Sequence, residues 1–228
     1  MFMPKFACLR HSAFKSKHSL LWPGLAISFC LPVPQTQADG GYLSMGVGSS
    51  QEDMWSWQSV SWAPFANIDE TGFLVRAAIR TETKTYVTEL PGRKDVRIWA
   101  QGVGADGEVG WQYVDDWGSI TAWAGIAWRD YFLSPDDPNS KLATNELGAK
   151  VSVNGHYRLD PNWGVFGYGE YLAGFEEWFV EAKPYYQLDS GLKLGPEFSM
   201  SGGEDYVHAR GGIFVTGYEL NVPWVGQF

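Results

Sequence analysis

The sequence is short of cysteine, histidine and charge. Its two cysteines are Cys8 and Cys30, and two of its four histidines, His11 and His18, lie in the same early stretch. Charged residues make up 19%, below the roughly 25% usual in soluble domains. After residue 40 no apolar run approaches the roughly 20 residues a membrane-spanning helix needs. These absences exclude function classes. Without the early stretch there is no thiol for a disulfide framework, a Cys-based metal site or a Cys nucleophile. A chain sparing of thiols also suits passage through an oxidising compartment. No G-x-S-x-G, H-E-x-x-H or phosphate-loop pattern occurs.

The early stretch has the order of a secretory leader. Lys5, Arg10, Lys15 and Lys17 give it a positive start, an apolar run follows over Leu20–Pro34, and Thr36-Gln37-Ala38 closes it on a small residue. The run is too short to span a bilayer and is broken by Pro23, Pro32 and Pro34. A signal peptide over 1–38, cleaved after Ala38, is expected, leaving 39–228 as a single domain. Four of the 17 Lys and Arg lie in the leader and none of the 26 Asp and Glu, so 13 basic residues face 26 acidic ones. The resulting net charge of −13 suits neither nucleic acid nor an anionic lipid surface.

What is abundant is glycine, 27 residues, and aromatic residues at 16%. With no spanning helix, that leaves a β-sandwich or a membrane β-barrel. The dominant period is two. Along 143–158, Leu147, Ala149, Val151, Val153 and Tyr157 alternate with Glu146, Lys150, Ser152, Asn154 and His156. The pattern recurs in Trp178–Leu188, in Leu192–Ser201, and in Phe73, Val75, Ala77 and Ile79 against Leu74, Arg76, Ala78 and Arg80. Alternation alone does not say which face meets water. Strand length helps, since several runs exceed the usual five or six residues of globular sheets.

Turns help too. Asp115–Gly118, Leu159–Asn162 and Asp189–Gly191 carry tight-turn chemistry. Longer polar connections are expected at Ser49–Met54, Thr83–Lys94 and Ser134–Leu142, and alternating short and long connections mark outer-membrane barrels. Pro64–Thr71 and Gly174–Glu177 break that alternation. The expected fold is all-β, an antiparallel up-and-down transmembrane barrel of about ten strands: 41–49, 55–63, 72–83, 95–114, 119–132, 143–158, 163–173, 178–188, 192–201 and 206–218. The parity of 95–114 shifts across Gly102–Gly107, which reads as a bulge or as a hairpin; a hairpin there plus a final strand over 219–228 would make twelve. The terminal alternation Tyr218, Leu220, Val222, Trp224, Gly226, Phe228 resembles the insertion signal read by the barrel assembly machinery, with Pro223 against it.

Candidate chemistry is thin. Asp136 and Asp137 are outer-loop carboxylates, and His208 with Asp136 is the one plausible acid–base pairing at an outer mouth, since His156 falls near the opposite end. The late polar residues Lys150, Glu170, Glu181, Lys183, Glu197 and Arg210 form a candidate lumen cluster; a sugar-binding or glycosidase reading competes with simple charge pairing inside a barrel. Trp55, Trp57, Trp62, Trp117, Trp163, Trp178 and Trp224 fall near strand ends, as interfacial girdles do. Trp99, Trp111, Trp123 and Trp128 fall elsewhere and could stack on sugar rings. No catalytic, cofactor or metal residue is assigned, and no cofactor is expected.

Two segments point further. Ala124-Gly125-Ile126-Ala127-Trp128-Arg129-Asp130 with Ser134-Pro135-Asp136-Asp137-Pro138-Asn139, and Gly195-Pro196-Glu197 with Tyr206, Arg210-Gly211-Gly212 and Thr216-Gly217, resemble the cellulose biosynthesis protein BcsS family. The resemblance implies an outer-membrane barrel of Gram-negative bacteria with an accessory, non-enzymatic role in cellulose synthesis or export. It implies outer-membrane lipid, the barrel assembly machinery, and cellulose or cellulose-synthase components as partners, with no nucleic acid. It brings no catalytic residues. A small porin and an outer-membrane hydrolase are the competing expectations.

Overall fold

The computed structural model describes residues 26–29, 41–49, 53–138, 140, 142, 145–203 and 207–216. The strands are β1 (Ala26–Phe29), β2 (Gly41–Ser49), β3 (Asp53–Trp62), β4 (Gly72–Leu90), β5 (Arg93–Asp115), β6 (Gly118–Ser134), β7 (Glu146–Arg158), β8 (Trp163–Leu172), β9 (Glu177–Gln187), β10 (Lys193–Gly202) and β11 (Val207–Thr216). From β2 to β11 they form one ten-strand antiparallel meander in chain order. The short β1 runs parallel beside β11 and its other side lies near β2. The expected C-terminal strand and its alternation over 218–228 lie outside the described residues.

The sheet curls into a half-barrel. Arg80 on β4 reaches Glu170 on β8, four strands away, at 3.3 Å, and Arg76 on β4 donates to Ser152 on β7 at 2.9 Å. A flat sheet would hold those strands far beyond side-chain reach, since neighbours are about 4.8 Å apart.

The two faces have inverted polarity. On the concave face Asp106, Glu108, Arg129, Lys150, Ser152 and Glu197 are buried, Lys150 at 3% exposure. On the convex face Ile79, Val109, Ile126, Leu147, Val151 and Phe198 stand exposed, Ile126 at 56%. The alternation read along β7, β9, β10 and early β4 is thus present, with its apolar side outward.

Glycine and the aromatic residues serve the curl together. Trp57 lies directly across from Gly46, Tyr131 from Gly102 and Trp123 from Gly110, and Tyr185 from Gly164. At each of these glycines a Cβ would run into the facing ring. The ring lies flat over the strand only because its partner has no side chain, an arrangement that fills a narrowing inner face. Trp178 covers Gly202 on the opposite, convex side, in line with the exposed pair Val180 and Met200. Trp57 therefore packs inside, against the girdle expectation, while Trp62, Trp99, Trp111 and Trp163 are exposed.

Two expectations are corrected. The Gly102–Gly107 stretch holds neither bulge nor hairpin: β5 keeps a single register against β6 from Trp99↔Ser134 to Asp115↔Gly118. Its inner face simply changes character, from Val96, Ile98 and Ala100 through Gly102 and Gly104 to Asp106 and Glu108. Thr83–Lys94 is also no loop. β4 and β5 continue as a ladder to a tight turn at Pro91-Gly92, with one register shift between Thr88 and Leu90. The 135–145 connection folds against this hairpin, where the Tyr86 hydroxyl donates to Asp137 at 3.1 Å and is 3.1 Å from the Ser140 hydroxyl.

Gly125 and Gly107 lie close in this sheet and make a sharp test. A Cβ on Gly125 would collide with the Gly107 carbonyl oxygen and come within 2.7 Å of the Glu108 Cα, whereas Gly107 has open space around its own. Gly125→Ala should lower the denaturation midpoint by an amount equivalent to about 1–3 kcal/mol, and Gly107→Ala should stay within about 0.5 kcal/mol of the parent. Denaturant titration of the purified protein, followed by tryptophan fluorescence, reads both.

Candidate functional site

The concave face is built from alternate positions of consecutive strands. β4 supplies Arg76 and Arg80, β5 Asp106 and Glu108, β6 Arg129, β7 Lys150 and Ser152, and β8 Glu170. Asp106 takes three cations: Arg129 at 2.7 Å, Arg80 at 2.9 Å and Lys150 at 2.9 Å. Lys150 in turn reaches three carboxylates: Asp106, Glu170 at 3.1 Å and Glu108 at 3.4 Å. Arg76 closes on Glu108 with Nε at 2.9 Å and Nη2 at 2.7 Å, and its guanidinium stacks 4.2 Å from the centre of the Trp123 ring. The Trp123 indole donates to Asn154 at 2.6 Å, and the Tyr168 hydroxyl donates to Glu170 at 2.7 Å.

This network crosses the interior from β4 to β8. Its charges nearly cancel, with four cations against three carboxylates. That arrangement is what a dry, charged interior demands, because an unpaired buried ion costs several kcal/mol. It leaves the carboxylates engaged as acceptors of salt bridges rather than open to a reacting group.

A second, smaller group sits on β9 and β10, where Lys183 bridges Glu181 at 2.8 Å and Glu197 at 3.2 Å. The six late residues expected as one lumen cluster are thus divided. Lys150 and Glu170 belong to the large network, and Glu181, Lys183 and Glu197 to the small one. Arg210 lies on β11 across from Ser199. The larger share of the large network, Arg76, Arg80, Asp106, Glu108 and Arg129, was not among the sequence candidates. The signal was there for Arg76 and Arg80, which alternate with Val75, Ala77 and Ile79 on β4, but not for Asp106, Glu108 and Arg129, whose strands show no even alternation.

At the end of the sheet near the 158–163 turn lies an aromatic cluster. His156 and Tyr185 share a hydrogen bond, and the rings of His156, Phe166 and Tyr185 stack with centroids 4.8–5.6 Å apart. The Lys193 ammonium caps two of them, 5.1 Å from the centres of Phe166 and Tyr185. His156 is thus held by rings and a hydroxyl.

The outer-loop candidates lie on different elements. Asp136 is exposed and Asp137 is buried against Tyr86. His208 is exposed on β11, five strands from β6 in the order of the sheet. Among the described residues no group of three or more His, Cys, Asp or Glu is placed to hold a metal ion. No helix among them is long and apolar enough to cross a membrane, which says nothing of strands.

The fold and interior therefore define a class: an antiparallel β-meander curled around a salt-bridged interior, with its apolar residues facing out. The family model for the cellulose biosynthesis protein BcsS matches residues 45–228. The chain belongs to that family, and membership gives it a role in cellulose biosynthesis. No curated protein and no solved structure matches the chain.

Lys150 is the side chain on which the large network depends. Lys150→Met keeps most of the volume but strands Asp106, Glu108 and Glu170 with less positive charge. It should destabilise the protein by about 3–5 kcal/mol, seen as a lower denaturant midpoint. Lys150→Arg should recover most of that loss.

Proposed function

We propose that this protein is a closed outer-membrane β-barrel that acts as a non-enzymatic accessory in cellulose synthesis or export. The observation that carries the membrane reading is the inverted polarity of the sheet. A water-facing sandwich turns its apolar side inward; here the ions are inside and Ile79, Val109, Ile126, Val151 and Phe198 face out. A lipid environment satisfies both faces. Cleavage of the leader after Ala38 would remove β1 from between β11 and β2. Ten strands are an even number, so those two ends run antiparallel and can pair to close the barrel.

The interior network speaks against a wide passage. A barrel of this size is largely filled by its own side chains, and aqueous channels appear at about 16 strands. Salt bridges from β4 to β8 fill it further. The protein therefore serves cellulose export from its rims, as a docking or anchoring element for the glucan or for synthase components, and neither the porin nor the hydrolase reading gains a specific feature.

Two experiments test this reading. In purified outer membranes the unboiled protein should migrate differently from the boiled one, and Ile126→Arg should cost about 2–4 kcal/mol, as expected for a cation at the bilayer midplane. A water-soluble protein with no gel shift, in which Ile126→Arg is neutral, would refute the membrane placement. For the accessory role, deleting the protein should alter cellulose deposition while synthase activity in isolated inner membranes stays at the parental level; loss of that activity would point to a role in the synthesis reaction itself.

A further inference from the structure

The β4–β5 hairpin outruns its neighbours on both sides. β3 ends its pairing at Asp53↔Lys84, and β6 ends at Trp99↔Ser134. Beyond those positions 85–98 continues as a two-stranded ribbon. Its inner side is covered, with Val96 and Ile98 buried, and Tyr86 is tied to the 135–145 connection through Asp137 and Ser140. Its tip carries Arg93, Lys94 and Arg97, all exposed.

These cations differ from most others among the described residues. Arg76, Arg80, Arg129, Lys150 and Lys183 lie against carboxylates, Arg158 donates to a backbone carbonyl, and Lys193 caps aromatic rings. Among the described residues, Arg93, Lys94 and Arg97 have no ion pair, hydrogen bond or ring partner. With Glu89 and Asp95 as its carboxylates, the ribbon is net positive in a chain whose net charge is −9.

The height of this cluster is set by two tryptophans. Trp99 and Trp111 are both exposed on the convex side of β5. Their separation is twelve residues (111 − 99), so at about 3.4 Å per residue and a tilt near 45° they stand about 29 Å apart along the barrel axis. That is close to the thickness of a hydrocarbon layer, roughly 25–30 Å. The pair therefore fits the two borders of the apolar band, and Arg97 lies two residues beyond the Trp99 border on the same side of the strand. Lipid phosphates occupy that layer.

We propose that Arg93, Lys94 and Arg97 form a binding site for anionic, phosphate-bearing lipid headgroups, which grips the leaflet around the hairpin. This rests on the membrane reading above. The site places the ribbon against the bilayer surface and keeps it from swinging over the mouth of the barrel.

The test uses the protein purified from membranes into a neutral detergent, titrated with phosphatidic acid or with phosphatidylcholine, with bound lipid counted by native mass spectrometry. Phosphatidic acid should bind in preference to phosphatidylcholine and weaken with added salt. The variant R93Q/K94Q/R97Q should keep its heat-dependent gel shift and lose affinity for phosphatidic acid by a factor of about 100, from roughly 1 kcal/mol per cation. Equal binding by variant and parent, or no preference between the lipids, overturns the site while leaving the barrel standing. So does a variant that keeps phosphatidic acid but loses binding of polyglutamate, which would assign the cations to an acidic peptide. A parent protein with no gel shift, which also fails to enter vesicles, overturns the membrane reading and the site with it.

Discussion

Asp106 and Lys150 sit 2.9 Å apart inside the curl, and the rest of the architecture follows from keeping them there. Both side chains are buried, so each needs several partners. Asp106 finds three cations and Lys150 three carboxylates, drawn from β4, β5, β6, β7 and β8. Partners on five consecutive strands can converge on one point only if the sheet bends tightly toward it. The ion network and the curvature therefore require one another. Such a network gives little net stability compared with an apolar core, but it penalises any register that separates its members. A slip of one residue on β7 would turn Lys150 outward and Val151 inward.

Bending a sheet this far crowds its inner face, and the composition reflects the remedy. The abundance of glycine and the abundance of aromatic residues are in part a single feature. Gly46, Gly102, Gly110 and Gly164 each leave a gap that a ring on the next strand fills. The Gly110–Trp123 pair also meets the ion network, because Arg76 stacks on the same indole. Packing and electrostatics thus share a side chain, and neither can be altered at Trp123 without the other.

Much of this could be read from the sequence, for a physical reason. Where the convex residues are uniformly apolar and the concave ones polar, as on β7, β9 and β10, period-two alternation gives strand, face and approximate bounds. It failed where polarity stopped tracking the face. On β5 the inner positions run apolar at Val96–Ala100, bare at Gly102 and Gly104, then charged at Asp106 and Glu108, so contrast is lost and regained while the backbone continues unchanged. On 83–94 the ribbon meets solvent at its tip, so its polar residues imitate a loop. The interior network is only half legible because its acids and bases come from strands far apart in sequence. Glu170 and Lys150 stand out by alternation, but Arg80 and Asp106 become their neighbours only through curvature, which no local pattern encodes. Trp57 defies the girdle expectation for the same reason, since its partner Gly46 lies on another strand.

The same geometry narrows where a cellulose-related role can reside. Salt bridges from β4 to β8 cross the concave side where a glucan chain would have to pass, and the carboxylates there are already occupied by Arg and Lys. The convex side, if lipid surrounds it, is closed to a polysaccharide as well. The rims are what remain. Of these, the end bearing the β4–β5 ribbon is the more developed: the ribbon projects past β3 and β6, and the 135–145 connection braces it through Tyr86. A brace of that kind has no use in a plain turn. It holds an exposed two-stranded element at a fixed angle to the sheet, which is the property a docking surface needs and a flexible loop lacks. On the proposed reading, an accessory role in cellulose export belongs more naturally to this rim than to the interior that first draws attention by its charge.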